Sequence, residues 1–486
     1  MLAETDKIIY RKIQLLKVLD ASNDYLKTVD LANFLDLSLK TVQKELESLI
    51  EDLKNSSYAV KLEKVGNLYR FIKKSSVNMD LIYLDFKRES IYFYLMRKAV
   101  FRKTIKEKKE IDYFYSASHL YKNKRIFKTY LMNYGLELDL STLSIEGNEI
   151  NIRFLYFRFF WENYRGVEWP FDTIDRQELI SEIEQLDTFL FKSMTEIEKE
   201  QFLYWVAIIK IRASNDQLLI ENRVKLNQVM FKDMQEFQQI VAKTIGVIEK
   251  TTLHSEAVYL YFAYTLTTES TFYKQQLLAD LEKDNKNFQI HKMVRELTTK
   301  FSQKFSLNTH TNYVDVYFSI YKLFVCESIY QGSLREYESR NLFESGIIKQ
   351  YEKEFALFYP EVMKNYGKKY SENRYLYQRV LFLFSTLIEE SSYRPQINIK
   401  ILSSGGAIEE LLLTKKVQSL ANNIAIKGSN AKDLDIIVSD CMVNNTENDL
   451  VFYWNLQPTE KEWEALARRI AEIEQDKELR IPLVTN

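Results

Sequence analysis

The sequence predicts a mainly α-helical protein of several domains, with small β elements near its two ends. Its 486 residues exceed what one hydrophobic core accommodates. Only 11 Gly and 5 Pro are present, too few for an architecture of sheets and tight turns. Leu, Ile, Lys, Glu and Tyr dominate the composition, which favours helices. The 46% of hydrophobic residues is ample for packed domains.

Charge is distributed unevenly although the net charge is only −1. Residues 1–150 carry +5 and residues 151–486 carry −6. Between Arg97 and Lys128 there are eleven Lys or Arg residues against three Asp or Glu. A basic block by itself more often indicates a solvated face than a ligand site. Its position beside a helix-turn-helix pattern is what points to nucleic acid.

The two cysteines, Cys326 and Cys441, are too few for a disulfide framework and indicate a reducing compartment. Cys441 is expected to be a buried structural residue. The polar amino-terminal stretch predicts no signal peptide, and the absence of an apolar run of about 18 residues predicts no membrane span. We therefore expect a cytoplasmic protein with no membrane partner.

Residues 1–75 are predicted to form a winged helix-turn-helix domain. Ile9, Ile13, Leu16 and Leu19 make one apolar helical face. Thr28 is expected to cap a short helix, Val29–Leu35, that turns Leu31, Phe34 and Leu35 inward. After the turn Asp36-Leu37, Ser38 is expected to cap a third helix.

This third helix has the pattern of a recognition helix, because its first two turns are polar on the side opposite its apolar face. Tyr58–Phe71 follows as a hairpin around Gly66-Asn67, the pattern of a wing. The candidate DNA-contacting residues of this domain are Ser38, Lys40, Thr41, Gln43 and Lys44 in the helix and Lys61, Lys64 and Asn67 in the wing.

Residues 76–170 are predicted to hold a second helix-turn-helix domain. Arg102–Tyr115 is predicted as a basic amphipathic helix, and Ser116–Ser118 as a turn and cap. The next helix, 118–134, is expected to bury Leu120, Phe127, Leu131 and Tyr134. Its other surface and cap supply the candidate DNA contacts Ser116, Ser118, His119, Tyr121, Lys122, Lys124, Arg125 and Lys128.

Four segments in this region resemble the Mga family of Gram-positive virulence regulators. They are Ser116-Ala-Ser-His-Leu-Tyr-Lys122, Leu136-Glu-Leu-Asp-Leu140, Ile145-Glu-Gly-Asn-Glu-Ile-Asn-Ile-Arg153 and Trp169-Pro-Phe171. Lys122 stands where the family often has Arg, which keeps the charge but loses the fork geometry. The length and layout of the chain also resemble the family. The resemblance implies a global, virulence-type transcriptional regulator.

Residues 171–285 and 286–394 are predicted as two helical bundles, divided near residues 284–286. By resemblance they look like paired regulation domains that the sugar phosphotransferase system modifies on histidine. That implies its histidine phosphocarrier protein as a partner. The candidate phosphorylation sites are His254 and His310, both expected near helix starts where amide dipoles favour an anion. His291 is a weaker candidate.

Residues 395–486 alternate strands and helices, which predicts a small parallel α/β domain. Ile397, Ile399 and Ile401 alternate in the first strand, and Thr459-x-x-Glu462 is a capping box. The domain resembles the IIB component of the sugar phosphotransferase system. Ser403 stands where that enzyme has its nucleophilic Cys. Without chemistry to perform, the domain, with Trp454 and Trp463, is expected to associate two or more copies.

The patterns together favour a regulator of transcription that binds double-stranded DNA and forms a homodimer or higher oligomer. They predict no catalytic residues, no metal site and no cofactor. Two alternatives stay open. An RNA-binding antiterminator built on regulation domains would need a small β-rich module at its amino-terminal end. The second alternative is a degenerate sugar phosphotransferase component, and the missing nucleophile at position 403 argues against it.

Overall fold

The computed structural model describes residues 2–101, 116–184, 194–219, 234–246, 249–267, 274, 278, 289–305, 313–330, 349–388, 394–428, 431, 433–443 and 450–480. The described chain is mainly helical with small sheets, as the composition predicts. It forms two compact units, one of residues 1–289 with 325–337 and one of residues 290–324 with 338–486. None of its described helices is long and apolar enough to cross a bilayer.

The first unit begins with a winged helix-turn-helix fold. Its elements are α1 (Leu2–Thr5), α2 (Lys7–Asp20), β1 (Leu26–Lys27), α3 (Thr28–Leu35), α4 (Leu39–Asn55), β2 (Val60–Val65) and β3 (Leu68–Lys73). The strands form an antiparallel sheet in the order β1-β3-β2. Gly66 opens the two-residue turn between β2 and β3 at φ +60°, where a side chain would be strained. The wing predicted from Gly66-Asn67 is therefore present.

Two details of the first helix-turn-helix prediction are wrong. Thr28 does not cap α3; it is buried, and its hydroxyl donates to the Asn67 carbonyl at 3.1 Å, which ties α3 to the wing. Phe34 does not point inward but is 72% exposed. Leu31 and Ala32 fill the core from α3 instead, because a helix of only eight residues presents one narrow face to α2 and α4.

The second helix-turn-helix region contains α5 (Met79–Arg88), α6 (Ile91–Val100), α7 (Ala117–Met132), β4 (Leu136–Leu138), β5 (Ile145–Gly147) and α8 (Glu149–Tyr164). The predicted basic helix 102–115 lies outside the described residues. The Asp6 carboxylate accepts from the amides of Ile91 and Tyr92 at 3.2 and 3.4 Å and so helps to cap α6. This contact joins the first domain to the second.

The rest of the first unit is helical: α9 (Arg176–Glu184), α10 (Glu196–Ser214), α11 (Met234–Ile245) and α12 (Lys250–Thr267). The Trp169-Pro-Phe171 segment lies at the start of this region. The Phe171 ring is buried between Phe160 of α8 and Tyr204 of α10, with centroid distances of 4.7 and 5.3 Å. The segment that marks a boundary in the sequence is thus an aromatic contact between α8 and α10.

The second unit contains α13 (Gln289–Lys304), α14 (Tyr313–Ile329), which runs on into the first unit, α15 (Lys349–Met363), a 3-10 turn (Lys364–Tyr366), α16 (Lys368–Ser371) and α17 (Arg374–Ser385). Aromatic rings pack between α13, α15 and α17. The Phe301 and Phe384 rings are stacked with centroids 3.8 Å apart, and Phe355 packs against both. The predicted break near 284–286 lies outside the described residues.

The chain then forms the predicted parallel α/β fold. Its elements are β6 (Ile397–Leu402), α18 (Ala407–Gln418), β7 (Ile424–Ile426), β8 (Ile436–Ser439), β9 (Val451–Tyr453) and α19 (Glu460–Arg480), with parallel strands in the order β7-β6-β8-β9. Ile397, Ile399 and Ile401 alternate into the core, as predicted. The Thr459–Glu462 capping box is also formed.

The Trp454 and Trp463 rings pack together, with centroids 5.0 Å apart, against the core between the sheet and α19. One side-chain expectation for this part of the chain is wrong. Cys441 is exposed rather than buried, since it follows the end of β8 in a turn.

Candidate nucleic-acid interface

Helix α7 has the geometry of a recognition helix. Ser116 caps it by accepting from the His119 amide at 3.2 Å, so the helix begins one residue earlier than predicted. Asn123, Phe127 and Leu131 bury one face. The opposite face, at helical spacing, exposes Ser118, Tyr121, Lys122 and Arg125. Leu120, predicted to be buried, is only half-buried.

The basic residues of α7 are not equivalent. Lys122 and Arg125 are exposed and, within the described residues, form no ion pair with a carboxylate. Lys128 is half-buried. Lys124 turns away from the exposed face, and its ammonium donates to the Leu140 carbonyl at 3.2 Å. Lys122 and Arg125 are therefore the cations best placed to meet phosphates.

His119 and Asn123 contact each other one turn apart on α7. The Asn123 amide nitrogen lies 3.3 Å from Nε2 of His119 and donates to the His119 carbonyl at 2.9 Å. The His119 ring is exposed. The sequence-predicted role of His119 as a donor to DNA would thus compete with this contact.

A hairpin follows α7 directly. Strands β4 and β5 pair antiparallel from Leu136 to Gly147. Asp139 organises the loop between them, because its carboxylate accepts from the hydroxyl and amide of Ser141 at 2.6 and 2.7 Å. These hydrogen bonds lower the pKa of Asp139 to about 2. The second helix-turn-helix therefore also has a hairpin in the position of a wing.

Helix α4 presents the other set of predicted contacts. Ser38 caps it, accepting from the Thr41 amide at 3.2 Å, and the two hydroxyls lie 2.8 Å apart. Both hydroxyls are thus engaged in the cap. Lys40, Gln43 and Lys44 are exposed and, in the part of the chain that the structure describes, make no ion pair.

The candidate wing residues of the first domain are differently engaged. Lys61 pairs with Glu63 at 2.8 Å, and Lys64 lies 3.5 Å from a Glu47 carboxylate oxygen. Asn67 is exposed, with its carbonyl accepting from Thr28. A phosphate would have to displace these carboxylates from both lysines, so the wing is weaker electrostatically than its sequence suggests.

The Gly147–Arg153 segment, quoted above for its resemblance, connects the second helix-turn-helix to the helices that follow. Gly147 has a φ of +137°, and a Cβ there would lie 2.8 Å from Leu136 Cδ2. Glu149 accepts from Arg153 at 2.9 Å and from Arg212 of α10 at 2.6 Å. Arg153 also forms two hydrogen bonds to Glu256 of α12. Arg212 and Glu256 could not be identified as partners from the sequence, because they lie 63 and 103 residues away along the chain.

The candidate phosphorylation sites have different surroundings. His254 is exposed, with Nδ1 3.5 Å from the Gln238 amide nitrogen. It lies in the second turn of α12, not before the helix as predicted, so the dipole of the first turn acts on it less. His291 is buried and hydrogen-bonded to the Tyr317 hydroxyl. His310 lies outside the described residues.

The loop after β6 holds a carboxylate of its own. Asp440, at the end of β8, accepts from the Ser404 amide at 2.8 Å and from the hydroxyls of Ser403 and Ser404 at 3.1 Å. Burial opposes its ionisation, but these hydrogen bonds lower its pKa below the ordinary value. The Asp440 carboxylate thus occupies the hydrogen-bond donors of Ser403 and Ser404. No local sequence pattern indicates this role of Asp440, because its partners lie 36 and 37 residues away along the chain.

Among the described residues, no group of three or more His, Cys, Asp or Glu side chains is placed to hold a metal ion. The charged side chains that do cluster are paired with each other, as at Glu149 and Arg153.

Comparison with known proteins agrees with this geometry. Residues 75–160 match the Mga helix-turn-helix domain, which includes α7, its hairpin and most of α8. The capsule synthesis positive regulator AcpB of Bacillus anthracis is 26% identical over 220 residues, 45% of each chain. The capsule synthesis positive regulator AcpA of the same organism is 23% identical, over 48% of this chain and 57% of the length of AcpA.

The anthrax toxin expression trans-acting positive regulator of Bacillus anthracis is 23% identical over 288 residues, 55% of this chain and 58% of its own length. The chain thus spans about half the length of the relatives it matches. All three are named as regulators rather than enzymes, in agreement with the expectation that this chain has no catalytic role.

Proposed function

We propose that this chain, whose residues 75–160 match the Mga helix-turn-helix domain, binds duplex DNA through α7 and α4 and regulates transcription. The observation that carries the proposal is the capped, half-buried helix α7 with Lys122 and Arg125 exposed beside Tyr121. Such a helix places cations against phosphates and one aromatic hydroxyl against base edges. The named relatives are positive regulators, and activation is part of the proposal. A DNA partner also supports the expected cytoplasmic location.

Gel shift with the full chain tests this function. Genomic duplex fragments are compared with hairpin RNA of equal length, and bound fragments are then footprinted. We expect protection of duplex DNA and its loss when Lys122 and Arg125 are both replaced by alanine. Preferential binding of the hairpin RNA would instead support the antiterminator alternative, and no binding to either would overturn the proposal.

We further propose that the chain forms a homodimer through α18. This helix exposes Ile408, Leu411 and Leu412, at 79%, 56% and 61%, at the spacing of one helical stripe. Acidic residues, Glu409 and Glu410, lie in its first turn and basic residues, Lys415 and Lys416, in its last. A two-fold axis would set two such helices antiparallel, with apolar residues meeting and opposite charges facing across the contact. The charge order supports a second copy as the occupant.

Phosphotransferase control is proposed at His254 and His310, with the histidine phosphocarrier as donor. The exposure of His254 supports its access to a donor protein. A phosphoryl group adds up to about two negative charges, enough to rearrange contacts between helices. The test is incubation with phosphoenolpyruvate, enzyme I and the phosphocarrier, followed by mapping of acid-labile phosphate. Label that persists when both histidines are replaced by alanine would contradict these sites.

A further inference from the structure

The amino-terminal end of α4 carries an exposed apolar residue among its polar ones. Leu39, the first residue of the helix, is 47% exposed. Gln43 follows four residues later and is also exposed, so the two side chains are neighbours along the helix. Of the remaining apolar residues of this helix, Val42, Leu46, Leu49 and Leu53 are buried, and Ile50 is half-buried against the core. Leu39 therefore has no part in the core that would explain its apolar side chain.

The side chains next to Leu39 and Gln43 indicate the kind of ligand that these two residues contact. Ser38 and Thr41 are hydrogen-bonded to each other in the cap. Lys40 and Lys44 both lie beside Gln43, on the side of the helix away from Leu39, and carry positive charge without an ion pair among the described residues. Two cations beside an apolar and an amide side chain complement a duplex, because the cations can meet phosphates while the other two side chains face base edges.

We propose that Leu39 and Gln43 read an A·T step in the major groove. This inference rests on the proposed DNA-binding function. An apolar side chain distinguishes thymine by its 5-methyl group, and glutamine forms a bidentate hydrogen-bond pair with N6 and N7 of adenine. Both features belong to A·T pairs, and the N-terminal residues of a recognition helix are the ones that reach base edges. The first helix-turn-helix thereby supplies base selection, while α7 supplies phosphate contacts.

Base analogues test this assignment on the full chain. A random duplex pool is selected with the protein, and the enriched duplex is resynthesised with uracil for thymine or 7-deazaadenine for adenine in the protected segment. Loss of the methyl group should weaken binding about fourfold. Loss of adenine N7 should weaken it roughly tenfold.

The variants L39A and Q43A assign each effect to its residue. L39A should become insensitive to uracil while keeping its response to 7-deazaadenine, and Q43A should show the reverse. Exposed residues of the same types away from α4 and α18, Leu357 and Gln177, provide the controls L357A and Q177A, which should keep both responses. Circular dichroism checks that all variants are folded.

The outcomes separate the two proposals. Binding to DNA with no response to uracil, or a response that L39A retains, overturns the assignment of Leu39 and leaves the DNA-binding function standing. The same logic applies to Gln43 and 7-deazaadenine. If the full chain enriches no duplex and binds none, both the function and this inference fail.

Discussion

Arg153 and Glu256 face each other in a buried bidentate ion pair although 103 residues separate them in the chain, with one of the two contacts at 2.8 Å. Both side chains are fully buried. Arg153 belongs to α8, which ends the second helix-turn-helix region, and Glu256 belongs to α12 of the helical region. This pair, together with the ion pairs that Glu149 forms with Arg153 and Arg212, connects α8 to the helical region.

Removal of one partner of the Arg153–Glu256 pair should destabilise the folded protein. The variant E256A leaves the Arg153 guanidinium buried without its main counter-ion, so we expect a loss of about 3–5 kcal/mol in the free energy of unfolding. Urea denaturation measures it. The control E196A removes an exposed pair with Lys199 and should change stability by less than about 0.5 kcal/mol. Equal effects of the two variants would contradict the importance of the buried pair.

The salt dependence of DNA binding should distinguish the lysines of α7. Each phosphate contact contributes about −0.9 to the slope of log affinity against log salt. K122A/R125A should therefore reduce the magnitude of the slope by about 1.8. K124A should change it little, since the Lys124 ammonium already binds the Leu140 carbonyl. K368A, at an exposed lysine of the second unit, is the control, and fluorescence anisotropy gives the slopes. A slope more sensitive to K124A than to K122A/R125A would show this placement of α7 to be wrong.

Charge placed on α18 should break the proposed dimer. I408D/L412D puts two carboxylates into the apolar contact, where they would lose solvation without a partner. Light scattering coupled to size exclusion should then show the mass of a monomer. L357D introduces one carboxylate at a leucine elsewhere that is 74% exposed, and it should leave the dimer intact. A dimer that survives I408D/L412D would move the interface away from this helix.

Introduction of a cysteine at position 403, where the resemblance to the IIB component would place the nucleophile, should not create phosphate acceptance. In S403C the thiol would adjoin the Asp440 carboxylate, which disfavours the thiolate and repels a phosphoryl donor. We expect no label on S403C from a phosphorylated IIA protein, and more label on S403C/D440A. Equal labelling of both variants would mean that Asp440 does not block the loop.

Acid should destabilise the start of α19 over a defined range of pH. Hydrogen bonds from the amide and hydroxyl of Thr459 lower the pKa of Glu462 from the ordinary 4.5 to about 2. A carboxylate with a lowered pKa in the folded state stabilises that state above its unfolded pKa, and the contribution disappears as the pH falls through the folded value. The difference in thermal midpoint between the protein and E462Q should thus shrink between pH 4.5 and pH 2. T459V should reduce this pH dependence, and a difference that stays constant across the range would contradict the capping role.

The sequence alone determined the features that repeat over a few residues. Helical spacing, capping residues and the Gly66-Asn67 turn predicted the winged helix-turn-helix, and alternation of Ile397, Ile399 and Ile401 predicted the first strand of the parallel sheet. The motif around Ser116 predicted the Mga resemblance that the domain match then showed. These features are local, because one element's own backbone geometry fixes its period.

Only the tertiary structure decided which side chains form hydrogen bonds or ion pairs, and with which partners. Lys122 and Lys124 are two residues apart and alike in sequence, yet one is exposed and the other holds the Leu140 carbonyl. Phe34 is apolar but exposed. The Asp440 carboxylate accepts hydrogen bonds from the loop after β6, although it lies 36 or 37 residues away along the chain. Arg153 meets Glu256 across 103 residues. Such contacts depend on how helices and strands pack, and spacing along the chain does not encode the partner.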